Sequence, residues 1–175
     1  MMKMDAIVAR LSANAAAIRS LLQDVDDEQA RWRPGENDWS ILEVITHLAD
    51  EEPDDFRIRL RLTLEDPSQD WPATDPQAWV TERSYNQGDL AESLARFEKE
   101  RQATIAWLQS LASPAWDNSK AHPAGFSLRA GDLMNSWLAH DLAHIHQLAE
   151  LQAAWLSVGN TPYETGYSGW DPLGD

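Results

Sequence analysis

Hydrophobic positions recur at spacings of three, four and seven along most of the chain, the period of an amphipathic helix. Ile7, Leu11, Ile18, Leu21, Leu22 and Val25 predict a first helix over about 4–24. Asp24-Val25-Asp26-Asp27 ends it, because acidic groups oppose the partial negative charge of a helix C-terminus. Arg31 to Asp38, with Pro34-Gly35 inside, reads as a loop. A second helix starts at Ser40. With Glu43 three residues on, Ser40 forms a capping box, and Trp39 before it can pack on Val44. Its stripe is Ile41, Val44, Ile45 and Leu48. Pro53 removes a backbone donor and predicts a kink or a break. The pattern resumes at Phe56, Leu60 and Leu64 and stops at Asp66-Pro67-Ser68. A third helix starts at an Asp89 cap supported by Glu92, carries Leu90, Leu94, Phe97, Leu108 and Leu111, and ends at Ser113-Pro114. A fourth runs from a Ser127 cap to about Ser157, with Leu133, Trp137, Leu148, Leu151 and Trp155 on one side. Gly159 fits its C-terminal turn, and Pro162 follows.

The connections are unequal. Residues 67–88 are polar and proline-rich but hold Trp71, Trp79 and Tyr85. A disordered linker lacks such aromatics, so this segment reads as an ordered crossover packed outside the core. Residues 114–126 form a second loop around His122-Pro123-Ala124-Gly125. The tail, 159–175, carries Tyr163, Tyr167 and Trp170 and is expected to pack on the bundle or on a partner subunit. No segment alternates convincingly as a strand. The expectation is an all-α four-helix bundle forming one domain over 1–158. The long crossover argues against simple up-down-up-down connectivity.

Composition narrows the function. The chain has 175 residues, 29 acidic and 14 basic side chains, a net charge of −15 and 0 cysteines. That length suits one domain with a core large enough to need no staples. The acidic excess argues against nucleic acid and against anionic membrane surfaces. No run approaches the ~18 apolar residues of a membrane span, and the N-terminus lacks a signal-peptide core, so the expected location is the cytoplasm. Without cysteine there is no disulfide, thiolate metal site or cysteine nucleophile. Any metal must be held by His, Asp, Glu or water.

The chemistry centres on His140-Asp141-Leu142-Ala143-His144. Residues four apart on a helix differ by only about 40°, so both histidines share the side of Leu133, Trp137, Leu148 and Leu151, while His146 points away. Such a pair can bind one metal from a single helix face, or it can be two core-edge histidines bonded to neighbours. A third imidazole, His47, lies on the second helix among Glu43, Asp50, Glu51 and Asp54. It either pairs with Glu43 or Glu51, or joins the other two. Three imidazoles plus water make an open site, the kind that catalyses.

The residues resemble a known family. Trp39-Ser40-Ile41-Leu42-Glu43-Val44, then His47-Leu48-Ala49-Asp50, then His140-Asp141-x-x-His144-Ile145-x-Gln147 are similar to the motifs of the DinB/YfiT-like superfamily. Arg33-Pro34 and the His122 to Gly125 segment fit as well, and the resemblance spans about 5–156. It implies a four-helix bundle holding one divalent metal on His47, His140 and His144, with nickel, zinc, iron or manganese as occupant. It also implies a homodimer. Some similar proteins transfer small thiols such as bacillithiol or mycothiol to electrophiles, and others isomerise maleylpyruvate.

Further residues have candidate roles. Glu51, one turn from His47, is the first candidate for a catalytic base, since Glu43 is occupied as a cap. Asp141 either orients a ligand histidine or bridges elsewhere. Gln147 can bond a bound ligand, and His122 can cover the site mouth or lie on the surface. Arg57 and Arg61 pair with acids or grip an anionic substrate. No Lys or Arg follows Arg129, so the last helix and tail suit retention of a cation. Three readings follow. The first is a metal-dependent enzyme transferring a small-molecule thiol to an electrophile. The second is a metal-dependent hydrolase. The third is a non-enzymatic, stress-associated metal-binding protein. A thiol in the first must come from a small molecule, because the chain has none.

Overall fold

The computed structural model describes residues 3–66, 68–122 and 125–170. Among the described residues there are seven α-helices: α1 (Met4–Leu22), α2 (Asp27–Arg31), α3 (Ile41–Glu51), α4 (Ile58–Glu65), α5 (Pro76–Glu82), α6 (Leu90–Ser110) and α7 (Ala130–Gly159). Four long rods make the bundle: α1, the α3–α4 rod, α6 and α7. α1 packs on α6 and α7, α3 packs on α6, and α3 and α4 pack on α7. The first rod therefore neighbours the third and fourth, which is not up-down-up-down order.

The expected start signals act as read. Ser40 and Glu43 form a reciprocal capping box on α3, and Asp89 caps α6. Two core clusters fill the bundle. One gathers Ile18, Leu42, Ile45, Phe97 and Leu148, and the other gathers Leu11, Leu60, Leu108, Met134 and Trp137.

Pro53 does not break the second rod. The chain passes from α3 to α4 through a π-helical stretch, Glu52–Arg57. A proline has no N–H to give, and its ring crowds the carbonyl four residues back. A wider turn relieves that contact while the helix continues. Glu51, Glu52 and Asp55 are all buried along this stretch.

Three local expectations need correction. The crossover contains a helix, α5, capped by Asp75 with Pro76 in its first turn. The loop before the last helix holds a short antiparallel hairpin, Ser119–Ala121 with Ser127–Arg129. Ser127 is therefore in a strand, and α7 starts at Ala130, where the Asp132 carboxylate accepts from the Arg129 backbone N–H at 3.1 Å and from its guanidinium. These strands are too short for alternation to reveal them. Pro123, Ala124 and residues 171–175 of the tail lie outside the described residues. In the described tail Tyr163 and Tyr167 are exposed, and Thr165 meets Ser157 of α7 at 3.0 Å.

Candidate metal centre

Two rods supply the site. α3 presents His47 and, one turn on, Glu51; α7 presents His140 and His144 on one face. One ligand atom from each histidine lies within 4.8 Å of the other two. His140 Nε2 and His144 Nε2 are 3.1 Å apart. Glu51 Oε2 lies 3.2 Å from His47 Nε2 and 3.1 Å from His140 Nε2. Aromatic rings hold the imidazoles. Trp39 is edge-on to His47 at 4.9 Å and nearly parallel to His144 at 6.3 Å, and Phe56 lies 5.1 Å from His140.

Gln147 sets one tautomer. His144 Nδ1 meets Gln147 Oε1 at 2.8 Å. An amide oxygen only accepts, so the proton sits on Nδ1 and the Nε2 lone pair faces the cluster. Gln147 thus bonds a ring nitrogen of the triad, the position expected for Asp141. Asp141 instead faces the bundle interior, where it accepts from Arg101 at 2.6 and 2.8 Å and from Asn14 at 3.0 Å. Its neighbour His140 lies about 100° away around the helix, which separates the two roles.

Electrostatics favour a neutral triad. Burial lowers His47, His140 and His144 to about 4 each; His47 also pushes His140 and His144 down, and His144 pushes His140 down. Burial raises Glu51 to about 7, although His140 pulls it back. Neither ring nitrogen of His47 nor Glu51 Oε2 makes a hydrogen bond of full geometry, though the Pro76 backbone lies near enough to His47 to favour its charged form. The His47 side chain is 1% exposed and that of His140 27%, so the cluster is walled behind and open in front.

A divalent cation fits this donor set. Imidazole–metal bonds of about 2.0–2.1 Å place cis nitrogens roughly 3.0–3.4 Å apart, which matches the His140–His144 separation. The unpartnered buried atoms of His47 and Glu51, beside the His140–His144 pair, cost free energy until a cation or proton joins them.

The remaining candidates sit elsewhere. His122 stacks on Phe126 at 4.4 Å and is edge-on to Trp71. Glu43 bonds Arg33 and the Ser40 backbone. Arg57 pairs with Glu100 at 2.6 Å, while Arg61 lines an open groove beside Pro53 and Trp107. His146 is exposed beside Glu150, as its helix angle predicts. Arg101 escaped the sequence reading, although it occupies the stripe of Phe97, Thr104 and Leu108 on α6 where an apolar residue belongs.

Comparison with known proteins now decides the family. The sequence model of the DinB superfamily matches residues 10–148. The chain belongs to the DinB superfamily. No curated protein matches it in sequence. Among solved structures it is similar to YfiT from Bacillus subtilis, described as a probable metal-dependent hydrolase with an unusual four-helix bundle topology. The TM-score is 0.76 at 20% identity, covering 98% of this chain and 91% of that one. It is also similar to a mycothiol-dependent maleylpyruvate isomerase, with a TM-score of 0.67 at 13% identity over 84% of this chain and 61% of the isomerase. At these identities the DinB member shares their fold, and its chemistry has to be argued from its own residues. Among the described residues no helix is long and apolar enough to cross a membrane.

Proposed function

We propose that this DinB protein is a metal-dependent hydrolase of a small molecule, with His47, His140 and His144 as metal ligands and Glu51 as the base. The position of Glu51 carries the reading. Its carboxylate oxygen sits 3.1–3.2 Å from two of the ligand nitrogens, and in the metal-free chain burial pushes it up to about 7. A carboxylate in reach of the metal position is placed to take a proton from a water there. A bound divalent cation would supply Lewis acidity and an acidified water at this point. The three histidines do not select sharply among nickel, zinc, iron and manganese. Gln147 holds His144 in the ligating tautomer. Glu51 accepts the proton of an attacking water that enters on the open side, beside His140. The YfiT likeness agrees with this reading in fold and in its described class.

Thiol transfer is the competing chemistry. It needs a small-molecule thiol, since the chain holds 0 cysteines. The test offers metal-loaded protein esters and amides in water, and electrophiles with a panel of thiols. Hydrolysis without thiol is expected, and Glu51→Gln should lower it by about 10²–10⁴ while metal content is kept. Turnover that occurs only with a thiol, or is unchanged in Glu51→Gln, would overturn the hydrolytic assignment.

A further inference from the structure

A second cleft lies on another side of α3, between the crossover and the first turns of α6. Its volume is about 540 Å³. That is within the range of pockets that enclose small molecules, roughly 300–1,000 Å³. Thr46, Asp50, Arg83, Tyr85, Ser93 and Arg96 are among the residues that line it.

The floor is a buried carboxylate already satisfied. Asp50 accepts from Arg83 Nη1 at 2.5 Å and from the Tyr85 hydroxyl at 2.6 Å, and it pairs with Arg96 Nη2, while the more exposed Asp54 meets the same Arg83 Nη1 at 3.3 Å. Thr46 and Ser93 bond each other beside it at 2.9 Å. The two arginines are therefore anchored but not used up. Their side chains are 39% and 47% exposed. Arg83 bonds through Nη1 and Arg96 through Nη2, which leaves Nε and the second terminal nitrogen of each without a hydrogen bond among the described residues. Arg83 is also held flat, its guanidinium 3.9 Å from the Trp79 ring centroid. A planar fork fixed in this way suits a carboxylate, which it meets with two parallel bonds. Ser84, between Arg83 and Tyr85, adopts a left-handed backbone at φ 52° and lines the same cleft.

The rim decides the ligand class. Asp89 and Glu92 face the cleft from the start of α6 and are exposed. They repel a phosphate or a simple acid from the arginines, and the arginines repel a simple amine from them. A molecule carrying both charges satisfies both pairs. We propose that this cleft binds a small zwitterion, an α-amino acid or a short peptide, with its carboxylate on Arg83 and Arg96 and its ammonium on Asp89 and Glu92. The site stands apart from the histidine cluster and does not depend on the hydrolytic reading.

Binding to the full-length protein would be measured by calorimetry with the common L-amino acids and diglycine. Propionate, propylamine and inorganic phosphate serve as single-charge probes. At least one amino acid or diglycine should bind, and each single-charge probe should bind at least about tenfold more weakly. Arg96→Gln and Glu92→Gln should each weaken the zwitterion about tenfold or more, with metal content and melting temperature retained. Should Arg96→Gln fail to fold, Arg96→Lys keeps the charge, loses the fork, and should still weaken binding. The proposal is overturned if no zwitterion binds. It is equally overturned if phosphate or propionate binds as tightly, or if affinity survives these substitutions.

Discussion

Two polar clusters occupy neighbouring positions on the same rods and are built in opposite ways. At 51 and 140 the chain places Glu51 and His140 with His47 and His144. At 52 and 141 it places Glu52 and Asp141 with Arg101. The second cluster is closed. Arg101, 2% exposed, bonds Glu52 at 2.8 Å, Asp141 twice, and the Leu11 carbonyl at 3.2 Å, while Asn14 and Thr104 fill the remaining acceptors. All four rods meet there. The first cluster is open. It brings three ring nitrogens and a carboxylate oxygen together, and among the described residues no Lys or Arg pairs with them, Arg59 acting on Glu51 only through its field. Where this protein buries carboxylates for structure it supplies an arginine. At the histidines it leaves the counter-charge to come from outside.

The comparison can be broken first at the closed cluster. Arg101→Met leaves Glu52 and Asp141 buried and unpaired, and should cost about 3–5 kcal/mol in urea unfolding. Adding Glu52→Gln and Asp141→Asn should recover most of that loss. If Arg101→Met alone is neutral, the network does not hold the rods.

A smaller effect is expected from acid on the chelator-treated protein. Each triad histidine titrates at about 4 when folded, against the ordinary 6.5 when unfolded. Between those values the unfolded chain binds more protons, so stability is lost as pH falls from about 6.5 to 4. Glu51, at about 7 when folded, and Glu52, also raised by burial, act in the opposite sense, their contributions falling as pH rises above the ordinary carboxylate range. Three imidazoles against Glu51, each displaced by a similar amount, give a net loss on acidification, which Glu52 opposes. Thermal melts across this window check the sign, and a bound metal should steepen the loss as protons compete for its ligands.

The smallest effect separates Asp141, the neighbour expected to orient a histidine, from Gln147, which bonds His144 instead. Gln147→Ala should weaken metal affinity about 10–100-fold with little change in stability. Asp141→Asn should do the reverse, lowering stability more than affinity. Competition against a chelator of known affinity, alongside unfolding curves, distinguishes them.

Much of this was legible in the chain. The bundle and the face shared by His140 and His144 follow from helical period alone, and the starts of α3 and α6 follow from their caps. The meeting of His47 with that pair depends on packing between distant rods, and family resemblance rather than spacing pointed to it. The π-helical passage through Pro53 was not readable, because a proline rule predicts the lost bond but not how the helix absorbs it. Asp141 and Gln147 are both close in sequence to the histidines, and only the packing of α7 against α1, with Arg101 reaching across from α6, decides which turns inward. Arg101 left a trace, a lone cation on an apolar stripe, whose meaning appears only once its two carboxylates are placed.

The most direct test is metal stoichiometry by elemental analysis after loading and desalting, for the unaltered protein and for His144→Ala. One divalent ion per chain, lost in His144→Ala while the fold and the Arg101 network persist, is the predicted result. Equal metal content in the two proteins, or none in either after loading, would contradict the assignment of His47, His140 and His144 as a metal centre.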